Sequence, residues 1–133
     1  MSDAKDRKDV YAIGKKNPNL PFHPAVRAGD FIFVSGQVAK DANGNMVHGT
    51  IEEETKATIE TIQRVIAADG ATLADVVRVT TYLEDTRDFG RYNKVFGEFF
   101  KDAVLARTTV EARAVISTKI EMEAIVYKPL KRD

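Results

Sequence analysis

A few short stretches of the chain hold residue types that could do chemistry. The most informative is Ala106-Arg107-Thr-Thr-Val-Glu-Ala112. Arg107 opens an alternating segment just after a loop, which predicts a position at the rim of a sheet. A guanidinium presents a rigid fork of donors that fits a carboxylate through two parallel hydrogen bonds. From spacing alone, a surface arginine paired with an acid is the simpler reading. The second stretch is Ile120-Glu121-Met-Glu-Ala124. Strand periodicity puts Glu121 and Glu123 on one face and the apolar residues on the other. They are either cross-strand partners of Arg107 or Arg113, or one is a water-orienting base whose proton affinity rises on partial burial. The sequence leaves both open. Ser35-Gly36-Gln37 looks like half of a nucleophile elbow. It lacks the preceding glycine, and no Ser/His/Asp constellation accompanies it, so covalent catalysis is the weaker reading. His23, within Phe-His-Pro, reads as an ordinary loop residue and His48 as solvent-exposed. Phe89, Phe96 and Phe99 read as core. Glu52–Glu54 reads as a solvated helix start that suits the helix dipole.

Composition narrows the chemistry further. The chain has 133 residues, 44% apolar and 30% charged, the scale of one domain with a real core. Twenty Lys+Arg balance twenty Asp+Glu. A formal charge of zero supplies no field to gather polyanions, which argues against nucleic acid as partner. There is no cysteine, hence no disulfide, thiolate zinc ligand or thiol nucleophile, and two histidines cannot make an all-histidine metal site. No P-loop, dinucleotide glycine fingerprint or HExxH is present. The start, MSDAKDRKDV, is polar and unlike a secretory leader, and no apolar run approaches the ~20 residues of a membrane span. The expectation is a small soluble cytoplasmic protein with no membrane partner.

The elements that would position these residues follow from pattern. We find no repeat or linker and treat residues 1–133 as one domain, with residues 1–9 frayed and order beginning near Val10–Ile13. Lys16–Pro24 holds three prolines and two asparagines and must be extended loop. Ala25–Val34 reads as a hairpin turning at Gly29-Asp30, its second strand ended by Ser35-Gly36-Gln37. Asn43-Gly44 marks a turn. Thr50-Ile-Glu-Glu53 fits a capping box, and Ile51, Thr55, Ile59, Ile62 and Ile66 follow at helical spacing up to a stop at Asp69-Gly70. Val76–Leu83 is a β-branched strand. Glu84–Asp88 supplies a turn and cap for a second helix with Phe89, Tyr92, Phe96 and Phe99 on its apolar face. Arg107–Val115 and Ile120–Tyr127 alternate across a short loop, which suggests a second hairpin.

Right-handed crossovers place both helices on one face of a single mixed sheet, a two-layer α+β domain. The other sheet face then stays bare. Phe31–Val34 and Val76-Val77 put apolar groups on both faces, so that face is expected to be buried against further copies in a closed homo-oligomer.

Phe33-Val-Ser-Gly-Gln37, Asp88-Phe89…Asn93…Phe99-Phe100, Ala106-Arg107-Thr-Thr-Val-Glu-Ala112 and Ile120-Glu121-Met-Glu-Ala124 together resemble the RidA/YjgF family, the reactive intermediate deaminases. The resemblance runs from about Leu20 to Tyr127. It implies a chorismate-mutase-like fold and a homotrimer whose sheets face inward as a barrel. It implies ligand clefts between subunits, with no cofactor and no metal. The reaction implied is hydrolysis of 2-imino and enamino acids, such as 2-aminoacrylate and 2-iminobutanoate, to 2-keto acids and ammonia. Arg107 matches the family arginine that holds the substrate carboxylate, and Glu121 the glutamate that positions water. Ser35 and Gly36 match pocket-lining residues, and Asn93 an asparagine near the cleft. Thr109 stands where many members have cysteine. Phe22 stands where many have a ligand-touching tyrosine, which makes that wall apolar and raises the alternative of a larger substrate such as 2-aminomuconate. A non-catalytic carboxylate-binding or stress-response trimer is a further alternative. Single-stranded RNA cleavage, a fourth, is disfavoured by the balanced charge and the lack of a basic patch or histidine pair.

Overall fold

The computed structural model describes residues 8–131. Its strands are β1 (Val10–Ile13), β2 (Ala25–Ala28), β3 (Phe31–Val38), β4 (Val76–Leu83), β5 (Ala106–Glu111) and β6 (Ile120–Tyr127); its helices are α1 (Ile51–Ala67) and α2 (Phe89–Phe99). They form one mixed sheet in the order β1-β2-β3-β6-β4-β5, in which only β4 and β5 run parallel. Both helices cover the same face, so the α+β expectation holds.

The local reasons are those in the sequence. Thr50 and Glu53 close the capping box of α1 through Thr50 Oγ1 (3.1 Å from Glu53 N) and Glu53 Oε1 (3.0 Å from Thr50 N). Ile59, Ile62 and Ile66 are fully buried against the sheet core of Ile32, Met122, Val126 and Val79, each worth roughly 1.5–3 kcal/mol. Gly70 takes φ 80° just past the helix, where a side chain would be strained. In α2, Tyr92 is fully buried and its hydroxyl lies 2.7 Å from Thr81 Oγ1. Phe96 and Phe100 stack at 4.4 Å. Phe89, expected in the core, is 43% exposed.

Several expectations are corrected. β3 does not end at Ser35-Gly36-Gln37 but runs on to Val38, with its register slipping between Val34 and Gln37. β1 is an additional strand, paired antiparallel with β2. Of the residues expected to be frayed, 1–7 lie outside the described ones, and Asp9 O accepts the Gly29 N–H at 2.7 Å. The C-terminal hairpin does not form. β5 pairs with β4 alone, and β6 inserts between β3 and β4. Alternation specifies a strand but not its neighbour, and a crossover spanning β4 leaves no local mark.

The sheet face opposite the helices is open. Phe31, Phe33 and Tyr127 on it are 40–46% exposed, and Phe31 meets Tyr127 edge-on at 5.2 Å.

Candidate active site

Glu121 sits on the open face of β6, opposite Tyr82 of β4 and Val38 of β3. Its carboxylate lies over Gly36, at the slip in β3: a Cβ there would stand 2.5 Å from Glu121 Oε2. The missing side chain at Gly36 leaves the room in which the carboxylate sits; a Cβ there would push the tip of Glu121 aside. Two hollows share this point. One, of about 340 Å³, is lined by Gly36, Tyr82, Arg113, Glu121 and Glu123 among others. The second, of about 450 Å³, also reaches Gly36 and Glu121 and has Leu20, Phe22 and Ile116 as apolar walls, with Lys15 and Lys40 at its edges. Burial, and secondarily the charge of Glu123, raise the proton affinity of Glu121 above that of an ordinary glutamate. The Glu121 carboxylate makes no hydrogen bond or ion pair among the described residues. Glu123 instead accepts a hydrogen bond from Tyr82 Oη at 2.5 Å. Neither glutamate pairs with Arg107, whose strand β5 is not a neighbour of β6, and neither forms an ion pair with Arg113, which lines the first hollow beside them.

Ser35, beside Gly36, donates its hydroxyl to His23 O at 2.6 Å, which leaves the oxygen able only to accept. Gln37 Nε2 donates to Ser35 O and Pro24 O. These bonds tie the proline-rich loop, with Phe22, to the β3 slip. His23 Nδ1 is buried without a hydrogen-bond partner.

Arg107 lies elsewhere. It pairs in register with Val79, on the helix face of the sheet, whereas Glu121 is on the open face. Its guanidinium carbon stands 4.7 Å from the ring centroid of Phe96, 5.2 Å from Tyr92 and 5.7 Å from Phe89. It has no hydrogen bond and no acidic partner among the described residues, so the simpler reading, a surface arginine paired with an acid, does not describe it. The aromatic rings attract the cation without using up its N–H donors, which stay available to a ligand. Thr109 follows on the same strand face, its Oγ1 buried and without a partner. Asn93 is exposed on α2, one residue after Tyr92.

The candidates thus fall into two groups within one chain. Phe22, Ser35, Gly36 and Glu121 gather at the β3 slip, whereas Arg107 and Thr109 lie on the helix face of β5, Arg107 against α2, on which Asn93 is exposed. The single chain does not bring the groups into one cavity. Two residues that support this region escaped the sequence. Tyr82 looked like one more strand residue, and only the register puts it beside Glu121. Glu54, read as a solvated helix start, is 1% exposed. It accepts from Lys119 N (3.0 Å) and Gly49 N (3.1 Å) and pairs with Lys119 Nζ (3.3 Å). It anchors the segment 112–119 that walls both hollows. No cluster of three or more His, Asp or Glu side chains that could hold a metal occurs among the described residues. No helix among them is long and apolar enough to cross a membrane.

Comparison with known proteins agrees with this architecture. The family model described as Endoribonuclease L-PSP matches residues 14–128. A RutC family protein of Pyrococcus abyssi is 46% identical over 121 residues, covering 90% of this chain and 95% of its own. A 2-iminobutanoate/2-iminopropanoate deaminase of Dermatophagoides farinae is 34% identical over 111 residues, covering 82% of this chain and 87% of its own. A solved structure of a YjgF family member from Neisseria meningitidis superposes with a TM-score of 0.78 at 28% identity, covering 94% of this chain and 97% of that one. The chain belongs to the YjgF/RidA family, whose model carries the L-PSP description.

Proposed function

We propose that the protein hydrolyses 2-imino and enamino carboxylic acids to 2-keto acids and ammonia. The observation that carries this reading is the Arg107 guanidinium, stacked over three aromatic rings and free of any acidic partner among the described residues. Such a fork suits a small carboxylate. The similarity to a 2-iminobutanoate/2-iminopropanoate deaminase supports the substrate class.

Because Arg107 and Glu121 occupy opposite faces of one sheet, a complete site needs Arg107 of one copy against Glu121 of another. The open apolar face supplies a reason to assemble, and we infer a closed trimer with clefts between copies. The enamine tautomerises to the imine. Arg107 holds its carboxylate, and Glu121 takes a proton as water adds to the C=N carbon. That proton passes to the nitrogen, giving the carbinolamine; the remaining hydroxyl proton then moves to the nitrogen as the C–N bond breaks, so that the keto acid's C=O forms and ammonia leaves. Imine hydrolysis is intrinsically fast, so positioning supplies most of the gain, and base assistance adds ~10²-fold.

The apolar wall of Leu20, Phe22 and Ile116 in the larger hollow favours side chains bulkier than those of the smallest imino acids, 2-aminomuconate being one alternative. The test is release of ammonia and keto acid from imines generated in situ from small and large amino acids. Acceleration over the spontaneous rate, lost in Arg107→Ala, is expected. A rate equal to the spontaneous one for every substrate refutes the reading, and a cellular role that survives Arg107→Ala favours non-catalytic binding.

A further inference from the structure

Two chemically identical carboxylates, Glu121 and Glu123, line the same hollow from one face of β6. Separated by two residues, they stand ~7 Å apart along the strand, close enough for each charge to act on the other. Their surroundings differ. The Tyr82 hydroxyl is committed to Glu123 Oε1. Glu121 has no such bond; it is half-buried and lies against the Gly36 backbone. Tyr82 is opposite Glu121 in register, yet its hydroxyl reaches past to Glu123.

We propose that Tyr82 and Glu123 are a positioning pair for Glu121: the phenol pins Glu123 as a fixed anion, which leaves Glu121 as the carboxylate that accepts the proton. This rests on the hydrolytic reading of the site. When two carboxylates share a cavity, the one held by a donor stays the anion and the other takes the proton. The remaining charged groups facing Glu121 are cations at the rims: Arg113 from the segment after β5 in one hollow, Lys15 from the loop after β1 and Lys40 from the end of β3 in the other. None is ion-paired to Glu121 among the described residues. The α1 carboxylates lie on the far side of the sheet. Burial and Glu123 are the influences that raise its proton affinity, and the phenol's own proton is held more tightly by its bond to Glu123.

The experiment is a carboxyl ¹³C NMR titration of the intact assembled protein, with the Glu121 resonance assigned by its loss in Glu121→Gln. The wild-type midpoint is expected above that of an ordinary glutamate. Glu123→Gln, isosteric and still able to accept from the phenol, is expected to lower it. Tyr82→Phe is expected to lower it as well, because the released Glu123 swings into solvent. The double variant should match Glu123→Gln alone, since Tyr82 acts only through Glu123. The acidic limb of kcat against pH should move down with the NMR midpoint in each variant. An unmoved midpoint in Glu123→Gln overturns the proposal, as does an additive effect in the double variant. Should Tyr82→Phe fail to fold, Glu123→Gln decides by itself. Midpoints that move as expected in a protein without hydrolase activity would refute the function and leave the pair standing.

Discussion

Arg107→Lys keeps the charge and removes the fork. In the folded chain the guanidinium contacts the rings of Phe89, Tyr92 and Phe96 at 4.7–5.7 Å and bonds to nothing else among the described residues. Losing that contact costs the fold only about 0.5–1 kcal/mol, a few degrees of melting temperature at most for a chain of this size. Toward a bound carboxylate the difference is larger. An arginine makes two charge-assisted hydrogen bonds where a lysine makes one, and each contributes about 1.5–3 kcal/mol. With the loss of stacking, the deficit is about 2–4 kcal/mol, or roughly 30- to 1,000-fold in kcat/KM. Steady-state ammonia release with parallel keto-acid detection reads it directly. Arg107→Met, which restores apolar contact with the rings, should melt like wild type and lack the activity. A lysine variant within about threefold of wild-type kcat/KM would refute the clamp. A fall of about ten degrees in melting temperature would show that Arg107 is structural.

Glu121 bears on stability as well as activity. Its folded-state proton affinity is raised by burial and by Glu123. The associated stability is therefore present below the ordinary glutamate range and is lost as pH rises through the raised folded value. Glu121→Gln should melt above wild type at neutral pH and match it in acid, while kcat falls ~10²-fold; identical melting curves across this range would contradict the burial. Gly36→Ala places a Cβ 2.5 Å from Glu121 Oε2. Only the tip of a flexible side chain must move, so melting should change little while kcat drops about tenfold, and unchanged kcat would remove Gly36 from the site. Glu54→Ala strands the Gly49 and Lys119 amides inside the protein. A loss of about 2–4 kcal/mol in urea unfolding is expected, and a loss below about 1 kcal/mol would show that the segment before β6 is held by other contacts.

Much of the fold is legible in residue pattern because the signals are local. The capping box at Thr50, the isoleucine stripe of α1, the Gly29-Asp30 turn and the β-branched run of β4 each bias the chain without help from distant residues. Strand partnership is different. Residues 107–115 and 120–127 alternate as a hairpin would, but the chain crosses β4 between them, and the gain from burying Met122, Ala124 and Val126 under α1 decides the placement. From that one crossover follow the faces. Arg107 pairs with Val79 and turns to α2, whereas Glu121 pairs with Tyr82 and turns away. The sequence names candidate residues, but their division between two faces is not legible in it. Glu54 was missed for a related reason: a carboxylate at a helix start is normally solvated, and only the tertiary path of Lys119 buries it.

The central claim, one site assembled from Arg107 of one copy and Glu121 of another, is tested most directly by complementation. Arg107→Ala and Glu121→Gln are each expected to be nearly inactive as homo-oligomers. When the two are unfolded together, refolded and allowed to assemble at random, about a quarter of the clefts in a ring receive both intact residues, and about a quarter of wild-type ammonia release should return. Mixtures that stay as inactive as their parents, although mass spectrometry shows mixed oligomers, would contradict it.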